Sequence, residues 1–101
     1  MITEQCTKGL EDNPEACRIR QAVFVDEQGF HNEFDEIDPE AWHVVLWEDG
    51  AALATGRVFP KQGSDGVWTI GRVAVLKPYR GKGLGALVVQ KLEQVAAQHG
   101  A

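Results

Sequence analysis

The sequence predicts an α/β domain: a mostly antiparallel sheet with one helix before its hairpins and one helix after them. Apolar, β-prone runs joined by short turn-forming segments fill residues 43–76 and predict three sequential strands. From Leu84 onward the apolar residues instead recur at helical spacing, which predicts a helix. With 101 residues the chain can bury one core, so we expect a single domain over residues 1–101.

The N-terminal third predicts one strand, one helix and a loop. Residues 1–7 favour a short strand, and Asn13-Pro14 predicts a helix start because Asn caps helices and Pro fits the first turn. Ile19 and Val23 then fall on one helical face. The stretch 28–39 carries glycine, acidic residues and proline, which predicts a loop before the second strand.

Turn-forming residues separate the remaining predicted strands. Asp49-Gly50 between two apolar runs predicts a tight hairpin, because both residues tolerate positive φ. The stretch PKQGSDG predicts a second turn before the strand VWTIGRVAVL. Strands joined in this way form an antiparallel meander, and Gly100 is placed to end the last helix.

Composition and charge argue against several classes of function. Apolar residues make up 44% of the chain and charged residues 25%, as in average soluble domains. The net charge of −5 argues against nucleic-acid binding, because positive groups gather only around residues 72–82. No apolar run is long enough for a membrane span, and residues 1–15 are too polar for a secretion signal. We therefore predict no membrane partner and a cytoplasmic location.

The two cysteines do not predict a metal site. Cys6 and Cys17 match no zinc-ligand spacing, and no second pair of cysteines or histidines accompanies them. We expect both to be small core residues, with pairing to each other as the alternative.

A glycine-rich segment, Arg80-Gly81-Lys82-Gly83-Leu84-Gly85, lies between the last predicted strand and the last predicted helix. A helix start has unpaired backbone N–H groups and a partial positive charge, so it attracts anions. Glycine lets a ligand approach the backbone, and arginine offers phosphate two parallel donors. The segment therefore predicts a pyrophosphate cradle, with a simple glycine-capped turn as the alternative. It lacks the Lys-Ser/Thr pair of a Walker A loop and the context of a dinucleotide-binding fold.

The segment VAVLKPYRGKGLGALVV resembles the acetyl-CoA signature of the GNAT N-acetyltransferases, in which Arg/Gln-x-x-Gly-x-Gly/Ala follows a strand and precedes a helix. The segments IRQAVFVDEQGF, EFDEID and IGRVAV are similar to ElaA-like bacterial members of that family. The resemblance covers nearly all of residues 15–101. It implies a GNAT-like mixed, mostly antiparallel sheet with helices on both faces.

The resemblance implies acetyl-CoA as cofactor and transfer of its acetyl group to a primary amine of a small molecule or peptide. It assigns the pyrophosphate to the backbone amides of Lys82–Ala86 with Arg80 beside them, and the pantetheine arm to the backbone of Val73–Val75. The amine would attack the thioester directly while a backbone N–H of the fourth strand polarises its carbonyl. The implied cofactor-binding residues are Val73, Ala74, Val75, Arg80, Gly81, Lys82, Gly83, Leu84, Gly85 and Ala86.

The family pattern continues after the last helix with a strand, a helix and two further strands, which carry a tyrosine that commonly protonates the departing thiolate. The resemblance therefore implies a C-terminally truncated domain, in which Tyr79, inside the loop, is not given that role. A non-catalytic coenzyme A-binding or dimerising module is the alternative function. We also expect a homodimer, paired across the sheet edge at RVAVL.

Candidate catalytic and acceptor-binding groups lie around the start of the second strand. His43 opens that strand and Glu33 lies in the loop before it, so they are the nearest candidates for a base that takes the amine proton. Asp35 and Asp38 would bind a cationic substrate. The alternatives are a partly buried strand histidine and a solvated acidic loop.

Arg57 and Arg72 lie in strands that are otherwise apolar, where a guanidinium needs solvent or a carboxylate. They would either pair with the acidic loop or bind a substrate carboxylate. Trp42, Trp47 and Trp68 are expected to pack in the core or at its rim, given the large area that tryptophan buries.

A second resemblance concerns the acyl-homoserine lactone synthases, which share the GNAT fold and take acyl groups from carrier protein. Residues in an order and spacing similar to theirs are Arg20, Phe24, Phe30, Glu33, Asp35, Asp38 and Arg57, although those enzymes place Trp at the position of Phe30. They are much longer and generally lack so clear a glycine loop. This class is therefore a minor alternative.

Overall fold

A computed structural model describes residues 1–29, 34–61, 63 and 66–100. Within these residues the strands are β1 (Ile2–Lys8), β2 (Trp42–Glu48), β3 (Ala51–Pro60) and β4 (Trp68–Val75). The α-helices are α1 (Pro14–Arg20), which continues as a π-helix over Gln21–Glu27, and α2 (Leu84–Gln98). Short 3₁₀ turns lie at Asp38–Glu40 and Lys77–Tyr79. The predicted α/β fold is confirmed.

The strands form an antiparallel meander in the order β1-β2-β3-β4. Asp49 and Gly50 join β2 to β3 with φ of 50° and 81°. Positive φ at both turn positions is what a type I′ hairpin needs, so the hairpin predicted from this pair is confirmed. The helix predicted to start at Asn13-Pro14 is also confirmed, with Asn13 at the N-cap of α1 and Pro14 as its first residue.

The two helical segments cover opposite faces of the sheet, because successive residues of a strand point to opposite sides. On β2, Val44 packs with α2, whereas the next residue, Val45, packs with α1. Val88 and Leu92 of α2 are fully buried on the first face, and Ile19 of α1 is fully buried on the second. Helices on both faces, as the resemblance implied, are confirmed.

A β-bulge interrupts the ladder between β3 and β4. At this point a single residue of β3, Gly56, lies opposite two residues of β4, Arg72 and Val73. Arg72 takes a φ of 53°, which is uncommon for a residue other than glycine. Bulges of this kind redirect a side chain and occur often next to active sites.

The prediction that both cysteines are core residues is wrong. Cys6 is exposed and Cys17 is only partly buried, and both thiols are free. The reason for Cys6 is that β1 is an outer strand whose residues are all exposed or partly buried.

The three tryptophans pack at the rim of the core, as expected. Each is partly buried against the apolar residues on one face of the sheet: Trp42, Trp47 and Trp68.

Among the described residues, no helix has both the length and the apolar character that a bilayer span would require.

Candidate active site

The glycine loop follows β4 directly and is shaped by two left-handed glycines. Leu76 donates its backbone N–H to the carbonyl of Leu53 at 3.0 Å, which holds the loop against the first part of β3. After the 3₁₀ turn at Lys77–Tyr79, Gly81 and Gly83 take φ of 83° and 76°. This conformation is strained for residues with a Cβ, so both positions favour glycine.

The start of α2 presents free backbone donors. Gly83 is the N-cap and no side chain caps the helix. The first helical bond runs from the N–H of Leu87 to the carbonyl of Gly83 at 3.1 Å, so the amides of Leu84, Gly85 and Ala86 have no acceptor within the helix.

The space around the two left-handed glycines that precede these amides is open. A Cβ added at Gly81 or Gly83 would meet nothing within 4 Å, and the backbone at both residues is exposed. Unpaired N–H groups at a helix start, reached without side-chain obstruction, fit an anionic group such as a pyrophosphate.

Arg80 is engaged by a partner that the sequence did not predict. Its Nε donates to the carbonyl of Val75 at 2.9 Å, and its Nη1 and Nη2 donate to the two carboxylate oxygens of Glu27 at 2.7 and 2.8 Å. The hydrogen bonds from Arg80 lower the pKa of Glu27, and the Glu27 carboxylate raises the pKa of Arg80. A guanidinium has five N–H donors, so those that do not bind Val75 or Glu27 could still bind a phosphate. Phosphate binding by Arg80 therefore stays a prediction.

The other predicted cofactor residues lie along the outer side of β4 and in the loop. Lys82 is exposed, with its Nζ 6.0 Å from the ring centroid of Tyr79. Val73–Val75 belong to the strand that, in the described part of the chain, pairs only with β3. Their backbone groups on the far side are therefore placed to pair with an extended ligand.

Asp38 is the centre of a buried ion-pair cluster. Its carboxylate accepts hydrogen bonds from Arg20 at 2.7 and 3.2 Å and from Arg57 at 2.8 Å. The Asp38, Arg20 and Arg57 side chains are each at most 5% exposed. Burial by itself would raise the pKa of Asp38. The hydrogen bonds from the Arg20 and Arg57 guanidiniums outweigh burial, so the pKa of Asp38 is lowered. Buried charges of this kind are tolerated because each has a hydrogen-bonded counter-ion.

Asp35 extends the cluster to the surface. It accepts bonds from Arg57 at 2.7 and 3.1 Å and from Arg72 at 3.3 Å. The bond from Arg57 is the main reason why the pKa of Asp35 falls to about 2. The sequence left open whether Arg57 and Arg72 pair with the acidic loop or bind a substrate carboxylate. In the structure both arginines pair with that loop through Asp35. Because the Asp35 and Arg72 side chains are 29% and 32% exposed, a substrate could reach them.

His43 is buried rather than placed at a surface. Its side chain is 1% exposed, and its Nε2 lies 2.9 Å from the carbonyl oxygen of Asp38. A carbonyl only accepts, so Nε2 carries the proton and is not free to take one. Burial lowers the pKa of His43, which keeps the ring neutral at neutral pH. Its role as base stays a prediction, and Glu33, the other candidate, lies outside the described residues.

The charged cluster reaches β4 through Arg72, and the glycine loop follows the same strand. Arg72 is at the bulge of β4, and the loop begins at Leu76, about 13 Å further along an extended strand. The structure thus places the uncapped, glycine-lined start of α2 beyond the end of β4 and a partly exposed charged residue, Arg72, near the middle of the strand. An extended ligand bound along β4 would reach from one to the other.

The sequence of this chain matches the acetyltransferase (GNAT) family over residues 7–101. The chain belongs to this family. It is 34% identical over 96 residues to the uncharacterized N-acetyltransferase YjcF of Bacillus subtilis (strain 168), covering 93% of this chain and 66% of YjcF. The chain spans less than two thirds of the length of the curated relatives that it matches.

Solved structures share the fold of this GNAT chain. Escherichia coli ElaA superposes with a TM-score of 0.83 at 24% identity, over 98% of this chain and 72% of that one. A GNAT acetyltransferase from Brucella melitensis in complex with acetyl-CoA has a TM-score of 0.68 at 24% identity, over 98% of this chain and 71% of that one. The resemblance to GNAT proteins predicted from the glycine loop is confirmed.

Proposed function

We propose that this chain carries the donor site of an acetyl-CoA-dependent N-acetyltransferase that modifies a primary amine of a small molecule or peptide. The observation that carries the proposal is the open glycine-lined start of α2, with its free amides, directly after the outer strand β4. Membership of the GNAT family and a similar fold that holds acetyl-CoA support the choice of ligand.

The residues of the loop would hold the cofactor by its phosphates. The amides of Leu84, Gly85 and Ala86 supply donors, and Lys82 supplies a positive charge at the exposed side of the cradle. The backbone of Val73–Val75 would pair with the pantetheine arm, and one of its N–H groups would polarise the thioester carbonyl. Bound acetyl-CoA supplies the activated acetyl group that the amine accepts.

The exposed part of the charged cluster would bind the acceptor. Asp35 stays ionised at neutral pH because its pKa is about 2, so it can attract a cationic amine but is too weak a base to deprotonate it. Arg72 would hold a carboxylate of the acceptor. Asp38 and Arg57 are buried, and their proposed part is to hold Asp35 in place, which in turn binds Arg72. Glu33 and His43 remain the proposed candidates for the base, and His43 would act through Nδ1 because its Nε2 already carries a proton.

Titration calorimetry with acetyl-CoA on matched glycine variants tests the donor site. Gly83→Asp places a side chain and a negative charge in the cradle, and we expect affinity to fall at least about tenfold, a change of roughly 1.4 kcal/mol in binding free energy. Gly66→Asp is the control, because Gly66 has nearly the same φ of 75° and equally open space. It should bind like the unmodified chain.

The outcomes separate the proposed functions. Equal binding by both variants would put the anion site elsewhere. No binding by the unmodified chain would favour the dimerising form of the non-catalytic module, and binding of long-chain acyl donors in preference to acetyl-CoA would favour the synthase-like alternative. The homodimer across the outer side of β4 is proposed as the alternative to pantetheine binding there, because both would use the same backbone groups, and a monomer by light scattering at micromolar to millimolar concentration would contradict it.

A further inference from the structure

We propose that Glu27 is a positioning residue for the glycine loop: through Arg80 it holds the loop in the conformation that receives the pyrophosphate. The inference rests on the proposed function, because it concerns the same anion site. Glu27 lies at the far end of the π-helix, on an element to which the sequence assigned no part in cofactor binding.

One arginine side chain joins three parts of the fold. The Nε of Arg80 is bound to the end of β4 at Val75, and its two terminal nitrogens form a bidentate pair with Glu27. Arg80 is itself the residue directly before Gly81, where the glycine-rich part of the loop begins. A planar, bidentate pair fixes orientation as well as distance, so Glu27 helps to set the position from which the glycines continue.

The part of the loop after Arg80, residues 81–83, is exposed and has little packing to order it. Gly81 and Gly83 lie in the left-handed region, and no atom lies within 4 Å of where their side chains would begin. Glycine also loses more conformational freedom on ordering than any other residue. A tether at Arg80 therefore reduces the entropy that the loop loses when a ligand binds.

Electrostatic attraction of the ligand does not explain why the Glu27 carboxylate lies beside the glycine loop. A carboxylate near a pyrophosphate site would by itself weaken anion binding. Its position is instead set by the π-helix, where the N–H of Gln28 donates to the carbonyl of Val23 at 3.2 Å, five residues back. π-Helical turns are rare and occur frequently at functional sites. The turn ends the helix with Glu27 facing Arg80.

The test compares Glu27→Gln with Asp26→Asn. Asp26 is the preceding residue of the same π-helix, and its carboxylate accepts from Gln21 at 3.2 Å rather than from Arg80. Each variant removes one negative charge from the same segment, but only Glu27→Gln weakens the tether. We expect Glu27→Gln to weaken acetyl-CoA binding about 2- to 10-fold in calorimetry, while Asp26→Asn leaves it equal or slightly tighter.

A second measurement reports on the loop without ligand. The ¹⁵N order parameters of the Gly81 and Gly83 amides should fall in Glu27→Gln, from about 0.85 toward 0.6, and stay unchanged in Asp26→Asn. In an Arg80→Gln background, Glu27→Gln should cause no further loss of affinity, because Glu27 acts through Arg80.

The two measurements distinguish the inference from the function on which it rests. If the unmodified chain does not bind acetyl-CoA, the donor-site proposal fails, and the order parameters alone decide whether Glu27 orders the loop. If acetyl-CoA binds but Glu27→Gln matches Asp26→Asn in affinity and in order parameters, the donor site stands and the positioning role of Glu27 is overturned.

Discussion

Gly56→Ala is expected to destabilise the protein by overpacking the contact between β3 and α2. A Cβ at Gly56 would lie 2.6 Å from Cγ1 of Val88, 2.9 Å from Cδ1 of Leu92 and 3.3 Å from Cγ2 of Val73. Carbon atoms in favourable contact are about 3.5–4.0 Å apart. Two of these contacts are therefore too short by more than about 0.5 Å.

The surrounding side chains have little room to move away. Val88 and Leu92 are fully buried, and a β-branched valine on a helix has essentially one rotamer. Relief therefore requires a shift of α2 itself. Overpacking of a dense core costs about 1–3 kcal/mol, and with two severe contacts we expect the upper half of that range, about 2–3 kcal/mol. A loss of this size lowers the melting temperature of a small domain by roughly 8–24 °C.

Urea unfolding followed by circular dichroism measures the effect, with Gly71→Ala as the matched control. Gly71 lies on the neighbouring strand, and a Cβ there would meet nothing within 4 Å. Gly71→Ala should change the free energy of unfolding by less than about 0.5 kcal/mol, or raise it slightly by restricting the unfolded chain. In Val88→Ala, which lacks Cγ1, Gly56→Ala should cost less than it does alone. Equal stability of the two glycine variants would refute the overpacking argument.

Two further predictions concern the charged cluster. Asp38→Asn should lower the free energy of unfolding, measured by urea denaturation, by about 3–5 kcal/mol, because buried Arg20 and Arg57 lose their shared counter-ion. Exposed Asp12→Asn is the control, and similar stability of the two variants would contradict this. Folding lowers the pKa of Asp35 from 3.8 to about 2, so its contribution to stability is complete above about pH 4 and is lost as the pH falls toward 2. Asp35→Asn should remove that part of the pH dependence, and an identical profile in both proteins would show that Asp35 does not cause it.

Local signals in the sequence determined the secondary structure and the position of the cofactor loop. The Asp49-Gly50 turn, the start of α1 at Asn13-Pro14 and the helical spacing after Leu84 each depend on residues within a few positions of one another. The glycine loop is a local signal of the same kind, because positive φ and an open helix start are properties of the segment itself. Cys6 was misplaced because outer and inner strands cannot be told apart from a short β-prone run.

Only the tertiary structure decided which side chains meet. Glu27 and Arg80 are 53 residues apart in the sequence, and neither the spacing nor the composition of either segment indicates the partner. The burial of His43 and the division of the acidic loop into a buried Asp38 and an accessible Asp35 likewise depend on how that loop packs beside α1. The same holds for Gly56, whose missing side chain matters only because α2 packs closely over it. Contacts between distant segments depend on the packing of whole elements, which local propensity and periodicity do not specify.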